Sequence, residues 1–270
     1  MTPYLPARLS KDPPIDDWIE RFHRDGFLVV QDVLPADLVA QLKADLDELL
    51  GAERQLEAQA ELHERMFETS AANLALFDRE PIVTFAERLI GDDRPAFGAD
   101  HVHVIHNNSF RTRQGQGISS WHQDEPPYYV VTDGKPPGNV HLPVLLFTCN
   151  YYLTDVTSLE HGPTQFVPGS HLLGKAPPPG SLDETPYRDQ VVDAYGRAGT
   201  ALLFNCQVWH RGAPNSSDRT RYVSQVSYAH RTIGHRYFPF MNYVMPEHVY
   251  ADANPRLRRL LGWVPKGPYG

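Results

Sequence analysis

Cysteine is scarce, with only two among 270 residues, which excludes a disulfide scaffold. Cys149 and Cys206 each lie inside an apolar run, so both are expected to be buried free thiols in a reducing, cytoplasmic compartment. Long apolar runs are also missing. No stretch approaches the roughly 18 residues that a membrane-spanning helix requires. Residues 1–14 contain neither an apolar core nor a small-residue cleavage pattern, so no signal peptide is expected there. Basic charge is in deficit. There are 25 Lys and Arg against 33 Asp and Glu, a net charge of −8, which argues against a nucleic-acid partner or an anionic membrane surface. What the chain does have is 24 prolines and 19 glycines among enough apolar residues to build a core, the composition of a globular protein with many turns.

Residues 15–25 carry a helical apolar pattern that Gly26 ends, and Phe27 to Val30 forms a short apolar strand. Pro35 opens a second helix to about Leu50, with Leu38, Val39, Leu42, Leu46 and Leu49 at helical spacing. A third helical region is expected within 52–90, with its polar run 53–65 either helical or mobile. From Phe97 the period changes. His101 to Ile105 alternates as a strand, residues 144–153 form another, residues 200–209 a third that ends at His210, and residues 222–228 a fourth. Strands at this spacing, separated by turns, predict a barrel or sandwich. Residues 254–262 form a short basic helix. The expected organisation is one domain over 1–270, with a mainly helical part at 15–95, a barrel core at 97–235 and an extension at 236–270.

The chemistry centres on Trp121-His122-Gln123-Asp124-Glu125. On extended backbone, residues two apart share a face, so the His122 imidazole and the Asp124 carboxylate can meet one ion. The second His-x-Asp, His23-Arg24-Asp25, lies in the first helix, where residues two apart diverge by about 200° and cannot share a metal. A third ligand would be a distant histidine, and His210, closing an apolar run, is suitably placed. Two histidines and one carboxylate on one face of a metal suit Fe(II) and leave positions open for small molecules. Arg221 follows His210 across a turn; if the two strands are antiparallel neighbours, its guanidinium faces the same cavity and can clamp a carboxylate in a way lysine cannot. His101, His103 and His106 resemble the His-x-His of metal-binding cupins, but Asn107, Asn108 and Ser109 stand where a glutamate is needed, so they are read as strand residues.

Taken together, three segments resemble the phytanoyl-CoA dioxygenase family of Fe(II)/2-oxoglutarate oxygenases: Trp121 to Asp124, His161-Gly162-Pro163-Thr164 through Val167-Pro168-Gly169-Ser170-His171, and His210 through Pro214-Asn215-Ser216-Ser217-Asp218 to Arg221. The resemblance spans about 15–235. It implies a mostly β fold with flanking helices, a double-stranded β-helix or jelly-roll barrel. It implies Fe(II) held by His122, Asp124 and His210, with 2-oxoglutarate and O2 as co-substrates. Arg221 would bind the distal carboxylate of 2-oxoglutarate, with Arg219 its nearest rival, and Gln123 would contact co-substrate or substrate. Gly212 departs from the family, where a hydroxyl residue often stands, so another group must help hold that carboxylate. Halogenating relatives replace the carboxylate ligand with a small residue. The presence of Asp124 therefore favours hydroxylation, or another oxidation such as desaturation or cyclisation. Aromatic and apolar residues at the mouth suit a small, hydrophobic metabolite, such as a secondary-metabolite scaffold. The resemblance also allows an acyl-CoA, to which the acidic balance gives no support. The loop 126–139, with Tyr128 and Tyr129, is expected to act as a lid over the substrate. Two other readings compete: a non-catalytic ligand-binding barrel, against which the complete triad and arginine count, and a zinc hydrolase, which would need a catalytic base and no Arg221.

Overall fold

A computed structural model describes residues 4–53, 59–91, 101–125, 143–264 and 266. Its scaffold is a seven-stranded sheet and a three-stranded sheet facing each other. In chain order the elements are β1 (Ala7–Arg8), α1 (Ile15–Asp25), β2 (Phe27–Gln31), α2 (Ala36–Leu50), β3 (Glu61–Glu64), α3 (Ala71–Leu74), α4 (Ile82–Gly91), β4 (Val102–Thr112), β5 (Leu146–Tyr152), β6 (Thr164–Phe166), β7 (Val192–Ala194), β8 (Ala201–Asn205), β9 (His210–Gly212), β10 (Arg221–His230), α5 (Glu247–Tyr250) and α6 (Pro255–Leu260). The large sheet runs β1-β2-β8-β5-β10-β4-β3, and the small one β7-β6-β9.

Alternation along β8 separates the two sides of the large sheet. Ala201 and Leu203 pack outward against Trp18, Phe22, Leu42 and Phe85 of the helices. Leu202 and Phe204 point inward to Phe27, Val29 and Phe166. Phe27 stacks on Phe166 across the interior, with centroids 4.4 Å apart. Both faces of this sheet are thus buried, which is why β5 is apolar or aromatic at most positions and buried at all of them.

Two sequence expectations change and one is extended. First, the mainly helical N-terminal part carries, besides the strand expected at Phe27 to Val30, a second strand. β2 pairs with β8 and β3 pairs with β4, so this region supplies strands to the large sheet. Second, the polar run near 61 is a strand because its charge is neutralised: buried Glu61 accepts a 2.6 Å hydrogen bond from the buried Arg111 guanidinium. Third, the apolar run 200–209 is not one strand. β8 stops at Asn205, whose side chain accepts from the Gln207 amide at 2.9 Å while its carbonyl accepts from Val208 at 2.9 Å. This side-chain-capped turn breaks the run and carries the chain across to the small sheet as β9.

Gly26 ends α1 in the left-handed conformation, φ 81°, with its amide donating to the Phe22 carbonyl. A β-carbon there would lie 2.4 Å from His171 Nδ1. His171 has no room to retreat, being buried with Nε2 on the His23 carbonyl. Burial pushes its imidazole down to about 4, so the ring packs neutral. Gly26→Ala should therefore destabilise the protein by at least about 1–3 kcal/mol, read as a lowered denaturant midpoint with unchanged slope. An unchanged midpoint would contradict this packing.

Candidate metal centre

The site forms where residues 121–125 run antiparallel to 206–212. His122 and His210 exchange reciprocal backbone hydrogen bonds, each 3.0 Å. Two residues along, the Asp124 amide donates to the Cys206 carbonyl at 2.9 Å. The expected extended geometry is realised as this isolated bridge rather than as a full strand. It places the side chains of His122, Asp124 and His210 together, with ligand atoms all within 4.8 Å of one another. His210 Nε2 lies 3.4 Å and His122 Nε2 3.8 Å from Asp124 Oδ1. Among the described residues this is the one such cluster of three or more His, Cys, Asp or Glu side chains that could hold a metal.

Each imidazole is oriented from behind. His122 Nδ1 lies 2.7 Å from the Ser120 carbonyl, and His210 Nδ1 lies 2.9 Å from the Val208 carbonyl. A carbonyl can only accept, so Nδ1 carries the proton and the Nε2 lone pair faces Asp124. His210, 5% exposed, is also wedged by Phe204 and Phe166, at centroid distances of 4.7 and 6.2 Å. Burial works against charge on Asp124, but the neighbouring His210 imidazole prevails and holds its pKa below the ordinary carboxylate value. Burial would likewise lower His210, and the Asp124 carboxylate overrides it, so that imidazole is raised. For His122 burial wins, helped by the His210 charge, and its pKa is lowered. Once His210 gives up the proton that Asp124 favours, the ionised carboxylate and two aimed nitrogen lone pairs form a donor set made for a divalent cation.

Arg221 is the first residue of β10, in the large sheet, whereas His210 begins β9 in the small one. The two are therefore not antiparallel neighbours as expected. They face each other across the interior because the Asn205 turn moved β9 to the opposite wall. A side chain at Gly212 would point onto the Arg221 guanidinium, 3.4 Å from Nη2. Arg221 is 4% exposed and hydrogen-bonds the Gly162 carbonyl, but its Nε has no partner. Among the described residues no carboxylate pairs with it, and burial lowers its pKa, only partly offset by Tyr152. Arg219 is exposed in the turn, beside His161. Directly opposite Arg221 in register stands Thr112, buried, with an unpartnered hydroxyl. The sequence reading passed over Thr112 because only strand register reveals it.

The other expected residues fall as follows. Gln123 donates its amide to the Gln207 carbonyl at 2.7 Å, bracing the ligand segment against the turn. Tyr128 and Tyr129, with the expected lid 126–139, lie outside the described residues. His103 is bound to the Ile233 carbonyl and His106 to Asn108, and neither joins the metal cluster.

A double-stranded β-helix with a His-x-Asp…His cluster and a buried arginine defines the class of non-haem iron oxygenases that use 2-oxoglutarate. The chain belongs to the phytanoyl-CoA dioxygenase (PhyH) family, matching it over residues 22–223. It is an Fe(II)/2-oxoglutarate-dependent dioxygenase. It is 28% identical to an ectoine dioxygenase of Stutzerimonas stutzeri over 242 residues, 79% of this chain and 76% of that protein. It is 30% identical to the dioxygenase Trt7 of Aspergillus terreus over 122 residues, 45% of this chain and only 39% of the fungal protein. Its fold matches that of HygX from Streptomyces hygroscopicus, solved with nickel, 2-oxoglutarate and hygromycin B, at a TM-score of 0.62 and 18% identity, covering 85% of this chain and 90% of that one. It also matches SnoN, a 2-oxoglutarate-dependent epimerase from nogalamycin biosynthesis, at 0.60 and 22%, covering 80% and 83%. No helix among the described residues is long and apolar enough to cross a membrane.

The tautomers can be checked directly. In metal-free protein at alkaline pH, nitrogen-15 NMR should show His122 and His210 as neutral rings protonated at Nδ1. Protonation at Nε2 in either ring would contradict the site geometry.

Proposed function

We propose that His122, Asp124 and His210 are the three protein ligands of Fe(II), and that Arg221 with Thr112 holds the distal carboxylate of 2-oxoglutarate. The observation that carries the second part is the pair of unpartnered buried polar atoms, Arg221 Nε and Thr112 Oγ1, on register-paired residues. A buried cation with unused donors costs stability unless an anion arrives to meet it. Thr112 is the hydroxyl that the glycine at position 212 does not supply.

Held by His122, Asp124 and His210, Fe(II) would supply the chemistry that couples oxidative decarboxylation of 2-oxoglutarate by O2, giving succinate and CO2, to oxidation of a substrate C–H bond. The protein's own residues set the conditions. Ser120 and Val208 carbonyls hold the two imidazoles in the ligating tautomer. Phe27, Phe166 and Phe204 pack together beside His210, and the low polarity of that wall strengthens the polar contacts against it. Asp124 is a carboxylate where halogenating relatives carry a small residue, so oxygen insertion or another hydrogen-removing oxidation is the expected outcome.

The substrate is a small molecule. The inward face of the large sheet carries a polar row, in which Asn108 donates to Gln225 at 3.1 Å and Gln225 donates to Asn150 at 3.0 Å. Beyond it lies an apolar group of Ile105, Leu146, Cys206 and Ala229. This mixture supports a metabolite that offers hydrogen-bonding groups as well as apolar surface, of the kind secondary metabolism supplies. The buried free thiols of Cys149 and Cys206 support a cytoplasmic location.

Two experiments test the assignments. His210→Ala should lose Fe(II) binding and succinate formation while remaining folded; binding as tight as the parent's would sink the triad. Arg221→Lys keeps charge but loses the fork, and Thr112→Val removes the hydroxyl at nearly constant volume. Each should raise the 2-oxoglutarate KM, by roughly 10- to 150-fold for the arginine, as expected for a lost charge-assisted hydrogen bond, and by less for the threonine. Arg219→Lys should leave it unchanged, and the reverse pattern would make Arg219 the clamp.

A further inference from the structure

Glu125 follows the ligand Asp124 directly, and its carboxylate forms an ion pair with Arg236. Arg236 lies on the C-terminal extension, beyond residue 223 where the family match ends. The chain is fastened on both sides of Arg236. The Arg236 amide donates to the Ile105 carbonyl at 2.8 Å, and His103 Nε2 meets the Ile233 carbonyl at 2.8 Å. Further along, Tyr243 donates to Glu68 at 2.7 Å, and Arg256 and Arg259 of α6 both pair with Glu87 of α4. On the other partner's side, Glu125 and Asp124 share one backbone anchor, the Cys206 carbonyl, at 3.3 and 2.9 Å. Cys206 packs in turn with Ile105 and Ile233. This ion pair lies one residue beyond Asp124, on the segment that carries two of the three ligands.

We propose that Arg236 is a positioning residue for the metal centre: its ion pair with Glu125 clasps the 122–125 segment to the extension and so fixes Asp124 for coordination. This rests on the ligand assignment above. Direct hydrogen-bond partners of ligands typically change metal affinity about 10- to 100-fold when removed, and this pair acts one step further out, through the backbone of Asp124. Both members of this pair are partly exposed, about a third for Arg236, so the low end of that range applies.

The sign of the effect separates positioning from simple electrostatics. If only the field at the metal mattered, removing Glu125 would weaken binding of a cation and removing Arg236 would strengthen it. A clasp fails when either half is lost. The test is titration of the full-length protein with Co(II), followed by its d–d absorption. Glu125→Ala and Arg236→Ala should each weaken Co(II) by about tenfold. The exchanged double variant, Glu125→Arg with Arg236→Glu, should recover most of that loss. Thermal midpoints of the metal-free variants should stay at the parental value, which global unfolding would not allow. Shifts of opposite sign, no shift, or no recovery in the exchanged pair would each overturn the proposal. His210→Ala in the same titration keeps the two readings apart. If it binds Co(II) like the parent, the ligand assignment fails; if it loses Co(II) while the Arg236 variants do not, the clasp alone fails.

Discussion

The two backbone hydrogen bonds between His122 and His210 are the constraint on which the rest depends. They join segments 88 residues apart in sequence, and they can form only because the chain reverses at Asn205. Without that turn, the apolar run through 209 would continue along the large sheet and His210 would lie on the same wall as Arg221. With it, the ligands stand on one wall and the arginine on the other, and the space between them is enclosed by two sheets. The side chains then need little freedom. Two imidazoles are locked by carbonyls behind them, and His210 is further held between two phenyl rings. Preorganisation of this kind avoids an ordering cost when the metal and co-substrate arrive.

The interior is divided by charge. At one end Asp124 is stabilised as an anion by its histidines, and at the other Arg221 is a buried cation with an unused donor at Nε. A small dicarboxylate that coordinates a metal through one end and meets a guanidinium with the other fits this polarity. The paired network of Glu61, Arg111 and Asp47 shows the contrast. There a buried arginine is fully matched by carboxylates within the protein, at 2.6 Å from Glu61, and it joins β3, β4 and α2. The same residue type thus reads as scaffold where its donors are filled and as a binding group where they are not.

Much of this was legible in the sequence. The His-x-Asp spacing, His210 and Arg221 as candidates, and strands within β4 and β10 follow from local pattern, although His210 opens β9 rather than closing a strand, and the combined segments gave the family. What was not legible depends on register and on tertiary pairing. Thr112 is one threonine among several until β4 is aligned with β10. Arg236 lies in a stretch with no periodicity and gains meaning only by touching Glu125. The break at Asn205 was hidden because Cys206, Val208 and Trp209 continue the apolar run on either side of a turn made by one asparagine side chain. The reading of 53–65 as helical or mobile does not hold at Glu61–Glu64, and only the buried Arg111 opposite shows why Glu61 belongs in a strand.

The most direct measurement is a crystal structure of the protein with Mn(II) and 2-oxoglutarate bound under exclusion of oxygen. The account requires the metal within bonding distance of Nε2 of His122, Nε2 of His210 and one oxygen of Asp124, and the distal carboxylate of 2-oxoglutarate on Arg221 with the Thr112 hydroxyl beside it. A metal held by any other set of side chains, or a co-substrate carboxylate bound by Arg219 or Arg236 instead, would contradict it.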